Sequence, residues 1–423
     1  MNFLKEKYNC WTKNARNGEN LFFAGFIIYL FWDIMRTTMF PHSGAVFNMC
    51  LAFAVLILAT KIFLFDIYTL KLFVSVAAMF ILSIIVLLKS GYFWPFLWIL
   101  IIVAAKDVPF RKILRIYLLM NITIMGLAFI ASLMGIIENL AYTNQDWDNL
   151  RYSFGCVYTT DFAAHIFFII LTVFYLYQDR LKWYHYIGTC GVAGFIYYYC
   201  FAKLDTICIL LMVLFFGIYR ILQLQSSKES VTVPGIKKDN HKIFVFKRTK
   251  LYLKSKRFWM GLALVSMPVL SALIYILSNS YQQDNEFLAT INETITGRLE
   301  LGKRGLDDYG ISLFGQDVPM VGFGGATTLE EEYFFIDSSY LNILLRYGIL
   351  FLIMVFIIYG VICYRYKKDT VLMLSVVLLA ISCFIDHHMM EAAYNPLTYA
   401  LLAKTGDIML KNDKCSLKIY FQN

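Results

Sequence analysis

The sequence has little charge and little proline. Of its 423 residues only 16% are charged and 7 are proline, whereas 59% are apolar and 17% are aromatic. A disordered chain needs low hydrophobicity and high net charge, so this composition excludes disorder. An ordinary soluble domain is about 45–50% apolar, and it has no interior large enough for this excess. The composition therefore predicts a polytopic membrane protein.

Several sequence motifs for cofactors and metals are also missing. There is no G-x-x-x-x-G-K-[ST] loop and no G-x-G-x-x-G after a strand pattern, which leaves nucleotide hydrolysis and dinucleotide redox chemistry without support. The nine cysteines show no C-x-x-C, and no H-E-x-x-H is present. His387 and His388, followed by Glu391, are interpreted as a polar lining, because adjacent side chains on a helix point in different directions. We predict no cofactor and no bound metal.

Apolar segments long enough to cross a membrane recur along the whole chain. A spanning helix needs roughly 20 mainly apolar residues. We predict an all-α polytopic fold of about twelve transmembrane helices, with a retained first span. The candidate segments are 20–37, 45–64, 68–88, 92–106, 113–135, 160–178, 184–201, 205–224, 258–278, 338–362, 370–387 and 394–410.

The net charge of +9 is distributed unevenly between two long connections. Segment 225–257 has ten basic and two acidic residues, whereas segment 279–336 has ten acidic and three basic residues. The positive-inside rule then predicts that both termini and segment 225–257 are cytoplasmic. A juxtamembrane basic loop is typical of a topology determinant, which we favour over a nucleic-acid patch.

This charge pattern predicts three regions. Residues 1–278 form an N-terminal bundle of about nine helices that includes the basic loop. Residues 279–337 form a large extracytoplasmic loop, and residues 338–423 form the last helices and a cytoplasmic tail. An ordered loop of about sixty residues is uncommon without a function, so the site is expected there.

Two arginines stand alone in the acidic outer loops. Arg151 is the one cation of segment 136–159, and Arg298 is one of three in the long loop. Positive charge on the outer side does not help to set the orientation of the chain, so the presence of these two arginines needs another explanation. One is a local ion pair, for Arg298 with Glu300 or Asp308; the other is an anion, since a guanidinium suits phosphate oxygens.

An acidic residue marks the junction between the long loop and the next span. Asp337 precedes two serines at the predicted start of a helix. It is either a helix N-cap or a carboxylate at the outer membrane surface that accepts a proton from a hydroxyl. Both interpretations stay open at this stage.

Four short motifs in this order resemble those of a known family: Arg151-x-x-x-Gly155, Thr296-Gly297-Arg298, the glycine-rich turn 322–325, and Asp337-Ser338-x-Tyr340-Leu341 followed by Gly348. Together they are similar to the Wzy-type polysaccharide polymerases of the O-antigen ligase/polymerase superfamily. The resemblance covers roughly residues 140 to 400. The ligase branch has histidine where this chain has Asp337, and that departure favours a polymerase.

The resemblance implies a GT-C-like, metal-independent, inverting glycosyltransferase in the cytoplasmic (inner/plasma) membrane of a bacterium. It would join oligosaccharide repeat units carried on undecaprenyl pyrophosphate at the outer face, for O-antigen, capsule or exopolysaccharide. The partners implied are the lipid-linked donor and acceptor, membrane lipids, a chain-length regulator and a flippase, with no nucleic acid. The residues implied are Arg298, Arg151 and Asp337 for catalysis, and Arg304, Tyr340, Glu332 and His388 for substrate binding.

Two alternatives have the same general architecture. A flippase for the same lipid-linked sugars would also have about twelve spans, but it should place charges at mid-bilayer along a central path. A ligase that moves finished glycan to another acceptor is the second alternative, and the missing histidine at position 337 argues against it.

Overall fold

The computed structural model describes residues 15–144, 147–228 and 238–404. This part of the chain is mostly helical. Its α-helices, in chain order, are α1 Ala15–Met35, α2 Gly44–Phe65, α3 Leu70–Ser90, α4 Trp94–Ala104, α5 Phe110–Leu133, α6 Thr159–Tyr177, α7 Trp183–Phe195, α8 Lys203–Lys228, α9 Lys238–Asn279, α10 Glu286–Thr294, α11 Arg298–Tyr309, α12 Ser339–Tyr347, α13 Ile349–Arg365 and α14 Thr370–Ser382.

Seven helices of the described residues are long and apolar enough to cross a membrane: α1, α2, α3, α5, α6, α8 and the second half of α9. Helices α4, α13 and α14 are apolar but shorter, at 11, 17 and 13 residues. The prediction of a helical, multi-pass membrane protein is thus confirmed in its general form. The number of twelve spans stays a prediction.

The predicted span 338–362 is divided into two helices at Gly348. Gly348 has a φ of 86°, a left-handed conformation that ends α12 and starts α13 in a new direction. A Cβ atom at this position would meet the backbone nitrogen of Gly315 and lie 2.7 Å from the carbonyl carbon of Leu313. Both flanking segments are apolar, so hydropathy alone predicted one continuous helix.

The predicted span 394–410 is not a continuous helix. Its described part contains the 3-10 helix Leu397–Leu401, and residues 405–410 lie outside the described residues. Side chains of the long helices satisfy its carbonyl groups instead: the Tyr117 hydroxyl donates to the Tyr394 carbonyl at 2.5 Å, and Arg365 donates to the carbonyls of Leu401 and Ala403. The prediction was wrong here because apolar content does not distinguish a helix from a buried irregular segment.

Two further segments, both predicted as loops, contain regular secondary structure. Part of the basic segment 225–257 is helical, since residues 238–257 begin α9, whereas residues 229–237 lie outside the described residues. The outer segment 136–159 contains an antiparallel hairpin of β1 Ala141–Asn144 and β2 Trp147–Tyr152.

Connections between the helices meet at one end of the bundle, which we call the loop end. There the Met39 amide donates to the Gly155 carbonyl at 2.8 Å, and the Ser339 amide donates to the Asp386 carbonyl at 3.0 Å. The loop end therefore brings together segments 36–43, 136–158, 280–338 and 383–396, far apart in the chain. At the opposite end, the Lys404 amide donates to the Val108 carbonyl at 2.7 Å.

Candidate active site

Arg298 is the first residue of α11. Gly297, with a φ of 82°, reverses the chain, and the Asn292 side chain accepts hydrogen bonds from the amides of Leu299 and Glu300. This cap fixes the start of the helix. The side chain of Arg298 then extends toward Asp337, with 3.2 Å between Nε and Oδ2.

Asp337 is therefore the partner of Arg298, and not the N-cap of α12. That position is taken by Ser338, whose side chain makes no capping bond. Arg298 is also held by two carbonyl groups, since its Nε donates to Ile385 at 3.0 Å and its Nη1 donates to Ile295 at 3.1 Å. Both charged side chains are mostly buried, so the pair is rigidly placed.

Arg151 lies on β2, opposite Tyr142 in the hairpin. Its Nη2 donates to the Tyr158 hydroxyl at 3.3 Å. The Tyr158 ring stacks in parallel on Phe323 of the glycine-rich turn, with 5.7 Å between ring centroids. The hairpin and the turn, which the sequence treated as separate motifs, are thus packed against each other.

Arg151, Arg298 and Asp337 line one cavity of about 430 Å³, the arginine cavity. Tyr158, Tyr333, Lys203 and Asp386 are among its other lining residues. The three residues assigned to catalysis come from β2, α11 and the start of α12, and the fold brings them to one space. Such a space offers cationic and carboxylate groups to the same ligand.

A second cavity of about 290 Å³, the central cavity, shares Asp337 and Tyr158 with the arginine cavity. Arg36, Asp161 and Glu391 also line it. It has three carboxylates and one guanidinium among these groups, so its lining is net negative.

A third cavity of about 230 Å³, the Arg346 cavity, shares Arg36, His387 and Glu391 with the central cavity. Arg346 stacks over the Tyr92 ring at 3.8 Å from its centroid. The three cavities are therefore neighbours at the loop end, and the central cavity shares lining residues with each of the other two.

The residues assigned to substrate binding lie elsewhere. Arg304 and Glu332 form an exposed pair with each other, with 2.6 Å between Nη1 and Oε1, and neither lines the three cavities. Tyr340 is fully buried and its hydroxyl donates to the Ala380 carbonyl at 2.8 Å, which gives it a packing role. His388 is buried behind the central cavity and stacks on Tyr394 at 3.7 Å between ring centroids.

Sequence reasoning missed Arg36 and Asp161, which line the central cavity. Arg36 pairs with Asp33 at 3.1 Å and with Glu391 at 3.4 Å. A signal was available, since ionisable residues at the ends of apolar spans are costly and mark functional sites.

The pKa values of the two histidines after α14 are shifted in opposite directions. Burial, followed by the neighbouring His388, lowers the pKa of His387 to about 4. Burial also disfavours charge on His388, but the negative charges of Glu391, Asp386 and Asp161 prevail and raise its pKa to about 9. The pKa of Glu391 is lowered, because the two histidines and Arg36 outweigh its burial.

Comparisons with protein-family models, with curated proteins and with solved structures gave no match to this chain.

Proposed function

We propose that this protein is a membrane glycosyltransferase that polymerises oligosaccharide repeat units carried on undecaprenyl pyrophosphate. The observation that carries the proposal is the arginine cavity, where Arg151, Arg298 and Asp337 meet. A donor of this kind presents a pyrophosphate, and guanidinium groups bind phosphate oxygens with two parallel hydrogen bonds. The proposed product is a lengthened glycan on one lipid and free undecaprenyl pyrophosphate.

The proposed chemistry is a single displacement at the anomeric carbon. A hydroxyl oxygen of the acceptor attacks this carbon, the bond to the pyrophosphate oxygen breaks, and the configuration is inverted. Arg298 and Arg151 stabilise the negative charge that develops on the leaving pyrophosphate. Asp337, at the edge shared with the central cavity, accepts the proton of the attacking hydroxyl.

The positive-inside rule supports a site at the outer face of the cytoplasmic membrane. The acidic segment 279–336 belongs to the loop end, and the basic residues around Lys106 and Arg365 belong to the opposite end. We propose on this basis that the loop end faces outward and that both termini are cytoplasmic. The segment that crosses last, 394–404, then completes a twelve-crossing topology with one crossing that is not a regular helix.

The placement of three acids in the helices, with Asp33 and Asp205 buried and Asp161 half-buried, favours an enzyme over a flippase. Asp33 lies two residues before the end of α1, and Asp161 and Asp205 are each the third residue of their helices. All three are therefore at the loop end, whereas a flippase needs ionisable groups along a path through the bilayer.

The decisive experiment uses purified protein in lipid nanodiscs with undecaprenyl-pyrophosphate-linked repeat unit and no nucleotide. A ladder of products spaced by one repeat unit is expected. Movement of the lipid-linked unit across a vesicle membrane without any ladder would show a flippase instead. Transfer of one glycan to a different acceptor, again without a ladder, would show a ligase.

A further inference from the structure

Three potential metal ligands converge beside the central cavity. His387, His388 and Glu391 each offer one ligand atom, and these atoms lie within 4.8 Å of one another. Glu391 Oε1 is 3.4 Å from His387 Nε2 and 3.7 Å from His388 Nδ1. Two ligand atoms of a tetrahedral ion with bonds of about 2.0–2.1 Å are separated by about 3.4 Å. The Glu391 oxygen thus already lies at nearly this spacing from a nitrogen of each histidine, and the two nitrogens are within 4.8 Å of each other.

This convergence depends on the local backbone. The sequence places the two histidines next to each other, and on an α-helix they would diverge. Here the helix α14 ends at Ser382, and His388–Met390 form a single 3-10 turn. The two rings approach to 4.3 Å between centroids, and so adjacent residues face one point.

His388 Nδ1 carries independent evidence for a ligand. This atom is buried and makes no hydrogen bond within the described residues. Its distance of 3.7 Å to Glu391 is longer than a hydrogen bond but suits two ligands of one ion. A buried polar atom without a partner is costly, so an ion at this point would remove that cost.

Two of the three residues also contact a charged group outside the cluster, and such groups commonly hold metal ligands in place. His387 presents Nε2 to the cluster, while its other ring nitrogen lies 3.9 Å from Asp337 Oδ1. Glu391 presents Oε1 to the cluster, while its Oε2 lies 3.4 Å from Arg36. A carboxylate near the non-ligating nitrogen of a histidine orients the ring. A ligating carboxylate is in turn held in place by the group that contacts its other oxygen.

We propose that His387, His388 and Glu391 bind a divalent transition-metal ion, with Zn²⁺ as the best fit to two imidazoles and one carboxylate. Three protein ligands leave a fourth position for water or a ligand oxygen. His387 and Glu391 line the central cavity, so this position opens toward it.

Electrostatics supports a cation at this position. Asp161 and Asp337 line the same cavity as Glu391, and Arg36 of this cavity and Arg298 beside it compensate two of the three carboxylates. These carboxylates favour any cation, and a metal ion bound there replaces the proton on His388. The proposal differs from the metal-independent chemistry that the family resemblance implies, and it stands on geometry without the proposed function.

The test is metal binding by the full chain, purified through a tag without histidine and stripped with a chelator. Titration with Co²⁺ should give one ion per chain and the visible absorption of low-coordinate Co²⁺, which Zn²⁺ then displaces. His387→Ala and the volume-conserving His388→Gln should each weaken binding at least tenfold. The control His42→Ala removes an exposed histidine that bonds to the Phe40 carbonyl, and it should bind like the unchanged chain.

Either of two results would overturn the proposal. One is the absence of stoichiometric Co²⁺ binding to the unchanged, folded protein. The other is equal affinity in His387→Ala, His388→Gln and His42→Ala, with unchanged size-exclusion profiles. Because the readout is binding and not polymer, a polymerase that binds no metal refutes this site alone, and a metal-binding protein that makes no polymer refutes the proposed function alone.

Discussion

At the scale of single residues, Arg298 and Arg151 are the strongest test of the proposed chemistry. Arg298→Ala and Arg151→Ala should each lower the rate of polymer formation by about 10²–10³-fold, the usual effect of removing one group that stabilises a developing negative charge. The matched control is Arg304→Ala, because Arg304 is also a cation of α11 but pairs with Glu332 outside the cavities. Product ladders from equal amounts of inserted protein give the measurement.

Equal loss in Arg304→Ala would contradict a specific role for the cavity arginines and indicate a general effect of charge on the outer loop.

A second residue-scale prediction concerns the coupling of Arg298 and Asp337, whose atoms Nε and Oδ2 are 3.2 Å apart. Residues in direct contact give non-additive effects. Arg298→Ala combined with Asp337→Asn should therefore cost less than the product of the two single losses. Initial rates of transfer are measured for the unchanged protein, the two single variants and the double variant. A loss in the double variant equal to the product of the single losses would show that the two side chains act independently.

The residues of the candidate site were only partly predictable from the sequence. Arg151, Arg298 and Asp337 were found because an isolated outer arginine and a junction carboxylate need an explanation. Arg304 and Glu332, which the resemblance also implied, neutralise each other at the surface. Which cation meets which acid depends on contacts between distant segments, and a single sequence does not record these.

At the scale of elements, the break between α12 and α13 depends on Gly348. Gly348→Ala should lower the free energy of unfolding by roughly 1–3 kcal/mol, because alanine is strained at a φ of 86° and its Cβ would collide with the loop at Leu313. Gly360→Ala is the control, since a Cβ there meets no atom within 4 Å. Thermal unfolding of both variants in the same detergent tests the difference, and equal melting temperatures would refute it.

The long helices were predicted well and the short elements poorly, for a physical reason. An apolar run of about 20 residues has few alternatives to a spanning helix, because every backbone polar group must be satisfied within the membrane. The 3-10 turn at His388–Met390 and the hairpin at 141–152 are instead stabilised by tertiary partners. Consequently His387 and His388 do not point in the different directions that an α-helix would give them, which was the basis for predicting no metal.

At the scale of the whole molecule, the proposed orientation gives a labelling prediction. Cysteine introduced at exposed Asp284, in the long acidic segment, should react with a membrane-impermeant maleimide in intact cells. Cysteine at exposed Lys367, between α13 and α14, should react only after permeabilisation. The unchanged protein, with its nine native cysteines, gives the background. The opposite labelling pattern would invert the orientation of the chain and place the cavities in the cytoplasm.

The irregular segment that runs from the loop end at Asp386 to the opposite end at Lys404 has a consequence for biogenesis. Its polar backbone is tolerated only where protein surrounds it, and Tyr117 of α5 and Arg365 of α13 supply bonds to its carbonyl groups. In the proposed topology it therefore crosses the bilayer as a segment that depends on the helices around it. The other helices must assemble first, so the histidine cluster at the start of this segment is completed last.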